Sequence, residues 1–284
     1  GAGGGFMDRA DNLWGSGNKV IKNVYAKPEP KTIFIPFPYF DLAFVSEGKD
    51  KKGGRTDIYL NTASEPGSIN IGVKRGFQKS FVDTFFFYSL IAKNWQNPYT
   101  TYRRPTNTDN FGGRITYGNI LDSGISVSYR ISLTDIDKDL AGRMNHDLKQ
   151  DGIAHRFSIN YRYPISAALS FIPNILYEKG DFDGKSNSYN RYQWALGLAW
   201  KSEKLSLNMR IFGGNTHYDR IHPVYGRTRD DNNYGAGFLA TFNDPFGWRK
   251  YLFTFGASRT WTDANITFFD SYTTACILSL GYRF

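Results

Sequence analysis

Six basic residues of this sequence occupy comparable positions in segments of alternating polarity. The six basic residues are Lys74, Arg114, Arg130, Arg156, Arg162 and Arg210. The residues two positions away from each of them are mainly small or polar, and the residues directly beside each of them are mainly apolar. Arginine stays ionised at physiological pH, and its planar guanidinium offers a fork of donors to carboxylate or phosphate. Since three of the arginines come from three consecutive segments, we predict a basic wall that attracts anions and disfavours cations.

Acidic residues in the polar connections leave a second interpretation open. If a connecting segment folds inward, its carboxylates could neutralise the arginines, which would then only brace the structure by pairing. The aspartates in question are Asp135, Asp137, Asp139, Asp181, Asp183, Asp230 and Asp231.

The elements that carry these residues alternate in polarity with a period of two. In the segment 251–261, Tyr251, Phe253 and Phe255 alternate with Leu252, Thr254 and Gly256. Such a period belongs to strands with two chemically different faces. The pattern predicts fourteen strands, or twelve if the N-terminal pairs are misread: 1–13, 37–47, 55–63, 67–77, 81–92, 109–120, 123–134, 153–164, 166–178, 188–201, 203–214, 232–243, 249–261 and 270–284.

Two places fit this pattern badly. Residues 81–92 are apolar on both faces, and Pro173 stands where a strand needs a backbone donor. Because proline cannot donate to the ladder, we expect a bulge or a local break there.

The connections alternate in length along the chain. Short ones near residues 76–80, 121–124, 163–166, 201–204 and 243–248 alternate with long polar ones at 13–35, 94–109, 135–152, 180–187 and 216–231. This sorting is typical of an up-and-down transmembrane β-barrel with short periplasmic turns and long extracellular loops. We therefore predict one all-β barrel domain over residues 1–284, in preference to a soluble β-sandwich.

Aromatic residues mark both ends of several apolar stripes. Ten residues separate Tyr251 from Trp261, and Tyr272 from Tyr282. Ten residues of strand rise about 33 Å, which a tilt near 40° projects to about 25 Å, the height of a barrel's apolar band. The predicted membrane-interface girdle consists of Tyr192, Trp200, Tyr251, Trp261, Tyr272 and Tyr282.

Composition narrows the classes of function. The formal net charge of +9 suits anionic partners, but the charge is dispersed and the aromatic residues belong to the apolar stripes, which disfavours nucleic-acid binding. His155 and Ser158 fall on opposite faces of one strand, so the sequence predicts no enzyme. It predicts no metal site and no cofactor either, and the single Cys276 excludes an intrachain disulfide.

The C-terminal segment SYTTACILSLGYRF resembles the terminal strand of outer-membrane porins, which ends on an aromatic residue. The resemblance implies that Phe284 is an assembly signal for the barrel-assembly machinery. Size and strand count are similar to those of the monomeric OmpG-like porins. The segments FIPFPYFDLAF, DIYLNTASEPGSINIGVKRGF and NWQNPY resemble an uncharacterised family of bacterial outer-membrane proteins, a domain of unknown function.

These resemblances imply a bacterial outer-membrane protein, monomeric, in contact with lipids and lipopolysaccharide. Together with the basic wall they predict a porin for passive diffusion of small hydrophilic solutes, with preference for anionic metabolites or acidic oligosaccharides. Two alternatives remain open: an export barrel for an anionic polysaccharide, and a structural outer-membrane protein whose lumen is plugged by loops.

Overall fold

The computed structural model of the chain describes residues 1–38, 40–46, 54–62, 67–89 and 92–284. The fold of these described residues is all-β, as predicted, with seventeen antiparallel strands in one sheet. They are β1 (Ala2–Ala10), β2 (Pro30–Pro38), β3 (Asp41–Ser46), β4 (Thr56–Asn61), β5 (Ser68–Phe77), β6 (Ser80–Ser89), β7 (Lys93–Trp95), β8 (Pro105–Gly118), β9 (Ile125–Ile136), β10 (Gly152–Tyr161), β11 (Tyr163–Pro164), β12 (Leu169–Phe182), β13 (Tyr189–Lys201), β14 (Leu205–His222), β15 (Arg227–Asn243), β16 (Tyr251–Ala264) and β17 (Ser271–Tyr282).

In the part of the chain that the structure describes, helical structure is confined to short pieces of the connections. The helix α1 (Leu140–Met144) has five residues, and four turns of 3₁₀ helix lie at Ile120–Asp122, His146–Leu148, Pro245–Gly247 and Thr267–Phe269. Within the described ranges, none of these helices has the length and apolar character needed to cross a membrane.

The sheet has an apolar face and a polar face, as the alternation of the sequence requires. On β13, Tyr192, Trp194 and Leu196 are exposed on one side, whereas Gln193 and Ala195 are more covered on the other. We call the side of Trp194 the apolar face and the side of Gln193 the polar face. The arginines at 114, 130, 156 and 210 belong to the polar face.

Hydrogen-bonded pairing connects neighbouring strands along nearly the whole sheet, and it also joins the two ends of the chain. β1 pairs with β17 on one side and with β2 on the other, so that Phe6 lies opposite both Cys276 and Phe34. The first and last strands of the chain are therefore neighbours.

The seventeen strands differ from the predicted fourteen at three interruptions. β10 and β11 both pair with β12 and are separated by Arg162 alone, β6 and β7 both pair with β8, and β2 is followed by β3 after two residues. Proline accounts for the first interruption. The register that sets Asn160 opposite Asn174 would set Tyr161 opposite Pro173, which has no N–H to donate. The break predicted at Pro173 thus falls in the neighbouring strand, while β12 itself runs without interruption.

The connections fall at two ends of the sheet. Those at 78–79, 119–124, 165–168, 202–204 and 244–250 lie at the end that carries the chain termini, which we call the termini end. The opposite end, the loop end, carries the connections 11–29, 96–104, 137–151, 183–188, 223–226 and 265–270.

Two predicted loops at the loop end are wrong in extent. Most of 216–231 is strand, because β14 continues to His222 and β15 begins at Arg227. The first loop is 11–29 rather than 13–35, because β2 already begins at Pro30. The segment 216–231 was predicted to be a loop because it is polar. A strand that extends beyond the apolar part of a sheet needs no apolar face, so a polar segment can still be strand.

The best-buried apolar cluster lies at the loop end, where connections from distant parts of the chain meet. Ile266, Phe268 and Phe269 are its buried centre, and Leu13, Ile21, Tyr99 and Tyr225 pack against them. Arg229 on the polar face lies 3.9 Å from the ring centre of Phe269, so this cluster contacts the loop end of the polar face.

Candidate functional site

Three predicted arginines lie side by side on the polar face. Arg130 on β9 lies opposite Arg114 on β8 and opposite Arg156 on β10. Neighbouring strands are about 4.8 Å apart, so the three guanidinium groups share one stretch of the wall.

Aromatic rings of β6 support two of these arginines. The guanidinium of Arg114 lies 4.5 Å from the ring centre of Phe85, and that of Arg130 lies 4.6 Å from the ring centre of Phe87. Both rings are buried on the polar face, where cation–π attraction adds to their packing. This arrangement explains why residues 81–92 are apolar on both faces: one set of rings faces outward and the other forms a floor for arginines.

Arg156 is partly neutralised by a residue that the sequence analysis missed. The buried carboxylate of Glu178 accepts a hydrogen bond from Arg156 at 2.5 Å, and its other oxygen accepts from Arg191 at 3.0 Å and from the Tyr189 hydroxyl at 2.7 Å. In register, Glu178 stands between Arg156 on β10 and Arg191 on β13. Glu178 and Arg191 both occupy polar-face positions of their strands. Pro173 interrupts the alternation near Glu178, and Arg191 stands next to the largely apolar segment 192–200, so the sequence pattern is weak at both positions.

Arg210 lies in a cavity of about 320 Å³ on the polar face. One of its guanidinium nitrogens lies 3.3 Å from the side-chain oxygen of Asn174. Arg156 and Arg191 also line this cavity, together with Gln193, Ser258 and Thr260. The cavity therefore brings together two predicted residues, Arg156 and Arg210, and the missed Arg191.

Lys74 and Arg162 do not join this group. Lys74 stands in register between Asp57 and Asp83, and its ammonium lies 4.3 Å from the ring centre of Phe81. Arg162 is exposed at the interruption between β10 and β11, where its backbone N–H donates to the Gly124 carbonyl at 2.9 Å. Lys74 and Arg162 were predicted to line the basic wall because they occupy the polar side of the alternating pattern. The alternation does not tell how far along the strand axis a residue lies relative to residues of other strands.

Four of the seven predicted aspartates form hydrogen bonds with groups other than the six predicted basic residues. Asp231 holds Arg229 in a forked pair, Asp183 accepts from Lys149, Asp181 from Lys185, and the side chain of Asp139 caps α1 at Gly142. The carboxylates that reach the arginines come from strands instead: Glu178 on β12 pairs with Arg156 and Arg191, and Asp83 on β6 lies 4.0 Å from Arg114.

The predicted girdle residues form two levels on the apolar face. At the termini end Tyr251 lies opposite Tyr282 with ring centres 5.1 Å apart, and towards the loop end Trp261 lies opposite Tyr272. Tyr192 packs beside Tyr177, with ring centres 5.2 Å apart, whereas Trp200 lies near the termini end of β13. Phe284 follows the end of β17, and its ring lies 5.4 Å from that of Tyr282.

The pair considered for catalysis is not formed. Ser158 shares a hydrogen bond of 2.7 Å with Ser128, and His155 shares one of 2.8 Å with the hydroxyl of Tyr129. The two side chains therefore use different partners on different faces.

At the loop end, four rings from three connections and one from the end of β14 pack together: Tyr99, Tyr225, Phe268 and Phe269, with His222. We call them the aromatic cluster. Tyr99 from the connection 96–104 lies 4.9 Å from His222, 6.2 Å from Tyr225 and 5.6 Å from Phe268, measured between ring centres. The strands β8, β9, β10, β12, β13 and β14 separate the two connections that supply Tyr99 and Tyr225. The aromatic cluster thus links distant parts of the sheet.

A buried cation anchors the loop 11–29 to this cluster. Arg103 donates to the carbonyl of Asn12 at 2.6 Å and to that of Asn18, and its guanidinium lies 4.6 Å from the ring centre of Trp95. The Asn12 side chain in turn donates to the carbonyl of Phe268 at 3.1 Å. Burial lowers the pKa of Arg103 to about 10, so it remains a cation at neutral pH.

His222 is held neutral inside the cluster. It ends β14 beyond the apolar stretch of that strand, and its Nε2 lies 3.0 Å from the Tyr99 hydroxyl. The backbone N–H of Val224 donates to its Nδ1 at 3.3 Å. Burial, and then the charge of Arg229, lower the pKa of His222 to about 4.

Comparison with solved structures finds outer-membrane proteins that align over almost their whole length. OmpT of Vibrio cholerae is 7% identical with a TM-score of 0.43, covering 100% of this chain and 97% of that one. The outer-membrane channel DcaP of Acinetobacter baumannii is 9% identical with a TM-score of 0.42, covering 100% and 96%. The anion-selective porin from Comamonas acidovorans is 6% identical with a TM-score of 0.40, covering 99% of both chains.

Structural similarity at such low sequence identity does not assign a function to the chain. No curated protein sequence matches the chain. A family profile does, and it covers residues 1–283. The chain belongs to the DUF2860 family, which is described as a protein of unknown function.

Proposed function

We propose that this chain forms a closed fourteen-stranded barrel in the bacterial outer membrane and conducts small anionic solutes through its lumen. The arginine cavity on the polar face carries the proposal. Strand pairing, the apolar face and the charges of the polar face support its three parts in turn.

Strand pairing supports closure into fourteen strands. β11 continues β10, and β7 continues β6. Following the antiparallel pairs from β4 through β17 and β1 to β2 makes β2 run in the same direction as β3, as expected if both belong to one long strand. Counting each of these three pairs of segments once gives fourteen strands, and β1 beside β17 would be the seam.

The apolar face supports a lipid environment. Phe6, Ile71, Phe86, Ile175 and Ile211 are each at least half exposed on it. An exposed apolar surface of this extent is unfavourable in water and is the surface that a bilayer core stabilises. The paired aromatic residues at both ends of the stripe fit the two membrane interfaces.

The charges of the polar face support anion preference. Arg156, Arg191 and Arg210 line one cavity, and among the described residues Glu178 is the carboxylate that pairs with any of them. Uncompensated arginine in a narrow lumen lowers the electrostatic energy of an anion there and raises that of a cation.

A reversal-potential measurement in planar bilayers with a potassium chloride gradient tests the proposal. We expect chloride to be more permeant than potassium, and Arg210→Gln to reduce that preference. Arg162→Gln, which removes an arginine outside the cavity, should leave it unchanged. A cation-selective wild-type channel would overturn the proposal.

The aromatic cluster favours a second candidate, a structural barrel whose lumen is plugged at the loop end. The two candidates differ in one measurement. The proposed channel should conduct in the wild type and conduct more once the loop 11–29 is released by Arg103→Met, whereas a plugged structural barrel should conduct neither before nor after that change.

A further inference from the structure

We propose that the cavity around Arg210 binds small dicarboxylates, with one carboxylate at Arg210 and the other at Arg156 and Arg191. This inference rests on the proposed function, because it names the anions that the lumen selects. Four features of the cavity carry it.

Space for a solute comes from the neighbours of Arg210. Its register partners are Gly197 on β13 and Gly237 on β15, so no side chain stands beside the guanidinium on either adjacent strand. A methyl group at Gly237 would lie 3.0 Å from Cβ of Ser258. The cavity of about 320 Å³ therefore depends on the glycines that stand beside Arg210.

The charges around this space favour two negative charges on the solute. Three arginines line the cavity, and the single carboxylate of Glu178 is shared by Arg156 and Arg191. Among the described residues no carboxylate forms an ion pair with Arg210. A solute with two carboxylates would balance the remaining charge.

The spacing of the arginines favours two separate carboxylates over one compact anion. Arg156 on β10 and Arg210 on β14 are three strand intervals apart, roughly 14 Å across the sheet, and Arg210 lies six residues, about 20 Å, along β14 from Thr216, the residue in register with Arg156 through Glu178 and Arg191. Their side chains reach the same cavity from opposite sides, and Leu176 and Phe212 line it between the charged groups. A short carbon chain would contact these apolar side chains.

Polar groups without protein partners complete the site. Within the described part of the chain, the side chains of Gln193, Ser258 and Thr260 line the cavity and form no hydrogen bond with protein. Arg210 is already oriented, because the Asn174 amide donates to the Ile159 carbonyl at 3.1 Å and turns its oxygen towards the guanidinium. The remaining N–H groups of Arg210 are left for a solute.

Isothermal titration calorimetry on the full chain folded in detergent tests the site without requiring conduction. The probes are succinate, butyrate with the same number of carbons, and inorganic phosphate. We expect succinate to bind at least about tenfold more tightly than butyrate or phosphate, the difference expected for one additional charge-assisted contact. Arg210→Gln should remove this preference, and Arg259→Gln, which changes an arginine on the apolar face, should preserve it.

The outcomes separate this inference from the proposed function. Equal binding of succinate and butyrate, tighter binding of phosphate, or a succinate preference that survives in Arg210→Gln overturns the dicarboxylate site. Anion-selective currents together with any of those results would leave the channel standing and refute only the site. Circular dichroism melting of each variant shows whether lost binding comes from lost folding.

Discussion

The guanidinium carbon of Arg114 lies 4.5 Å from the ring centre of Phe85, so an aromatic ring forms the floor under a charge on the polar face. Arg130 over Phe87 and Lys74 over Phe81 repeat the relationship along β6. This stacking keeps long side chains from filling the space in front of the sheet.

A double-mutant cycle measures this stacking. Phe85→Leu and Arg114→Met should be coupled by about 0.5 to 2 kcal/mol in the free energy of unfolding, because either change alone removes the cation–π contact. Denaturant unfolding in detergent micelles gives the four stabilities. Phe86→Leu, one residue away on the apolar face, should show no coupling with Arg114→Met; equal coupling for both phenylalanines would contradict the stacking.

Glu178 sets how much positive charge its two arginines present. Glu178→Gln keeps the shape but removes the carboxylate, so the reversal potential should move further towards anion selectivity. Stability should fall by about 2 to 3 kcal/mol, because two cations lose a buried partner. Asp181→Asn, at an exposed pair with Lys185, is the matched control and should change neither quantity. An unchanged reversal potential in Glu178→Gln would show that these arginines do not face the conduction path.

Arg103 holds the loop 11–29 in place. Arg103→Met leaves the carbonyls of Asn12 and Asn18 without their donor, at a cost of about 1 to 3 kcal/mol for the buried Asn12 carbonyl and less for the half-buried Asn18 carbonyl. We expect faster amide hydrogen exchange and faster proteolysis within residues 11–29, with larger channel conductance. Arg104→Met removes the exposed neighbouring arginine and should behave like the wild type. A variant at Arg103 with an unchanged exchange pattern would show that other contacts hold the loop.

The stability of the loop end should depend on pH through His222. Its pKa is about 4 in the folded chain and about 6.5 when exposed, so the unfolded state binds more protons between these values. The stabilising contribution is fully present above pH 6.5 and is lost as the pH falls towards 4, by at most about 3 kcal/mol. Protonation would also place a hydrogen on Nδ1, against the N–H of Val224 that now donates to it.

Hydrogen exchange of the loops at pH 4.5 and pH 7 checks this. His222→Gln should reduce the difference between the two conditions, while the exposed His217→Gln should not. Equal pH dependence in the wild type and in His222→Gln would assign the effect to another group.

A pair of substitutions tests which face meets lipid. Ile211→Arg places a charge on the apolar face of β14 and should destabilise the chain in lipid by about 2 to 4 kcal/mol. Asn208→Arg places the same side chain on the polar face of the same strand and should be tolerated. Unfolding of both variants in lipid vesicles gives the comparison, and equal destabilisation would contradict the proposed orientation of the sheet.

The strands and their faces could be predicted from the sequence because period-two alternation is a local property. The assignment of Arg114, Arg130 and Arg156 to consecutive strands needed nothing else. Height along the sheet could not be predicted, since it depends on the register of every intervening strand; Arg162 was therefore grouped with residues far from it. Glu178 could not be predicted from the sequence because its partners, Arg156 and Arg191, are distant in sequence and contact it only through the pairing of β10, β12 and β13.

The loop end shows the limit of polarity as a guide. Residues 216–231 are polar because this part of the hairpin extends past the apolar band, and polar strands resemble loops in sequence. His222 and Tyr99 are 123 residues apart, and no spacing rule brings them together. Their contact follows from which connections share one end of the sheet.

The hydrogen bond from Asn12 to the carbonyl of Phe268 joins residues 256 positions apart. Contacts of such long separation form late, because the chain between them must first be ordered. The contact between the loop 11–29 and the aromatic cluster therefore can be completed only after the N-terminal and C-terminal strands have met. A newly inserted chain would pass through a stage in which part of its sheet is formed and its loop end is still uncovered. Assembly would be finished when the loop 11–29 covers that end.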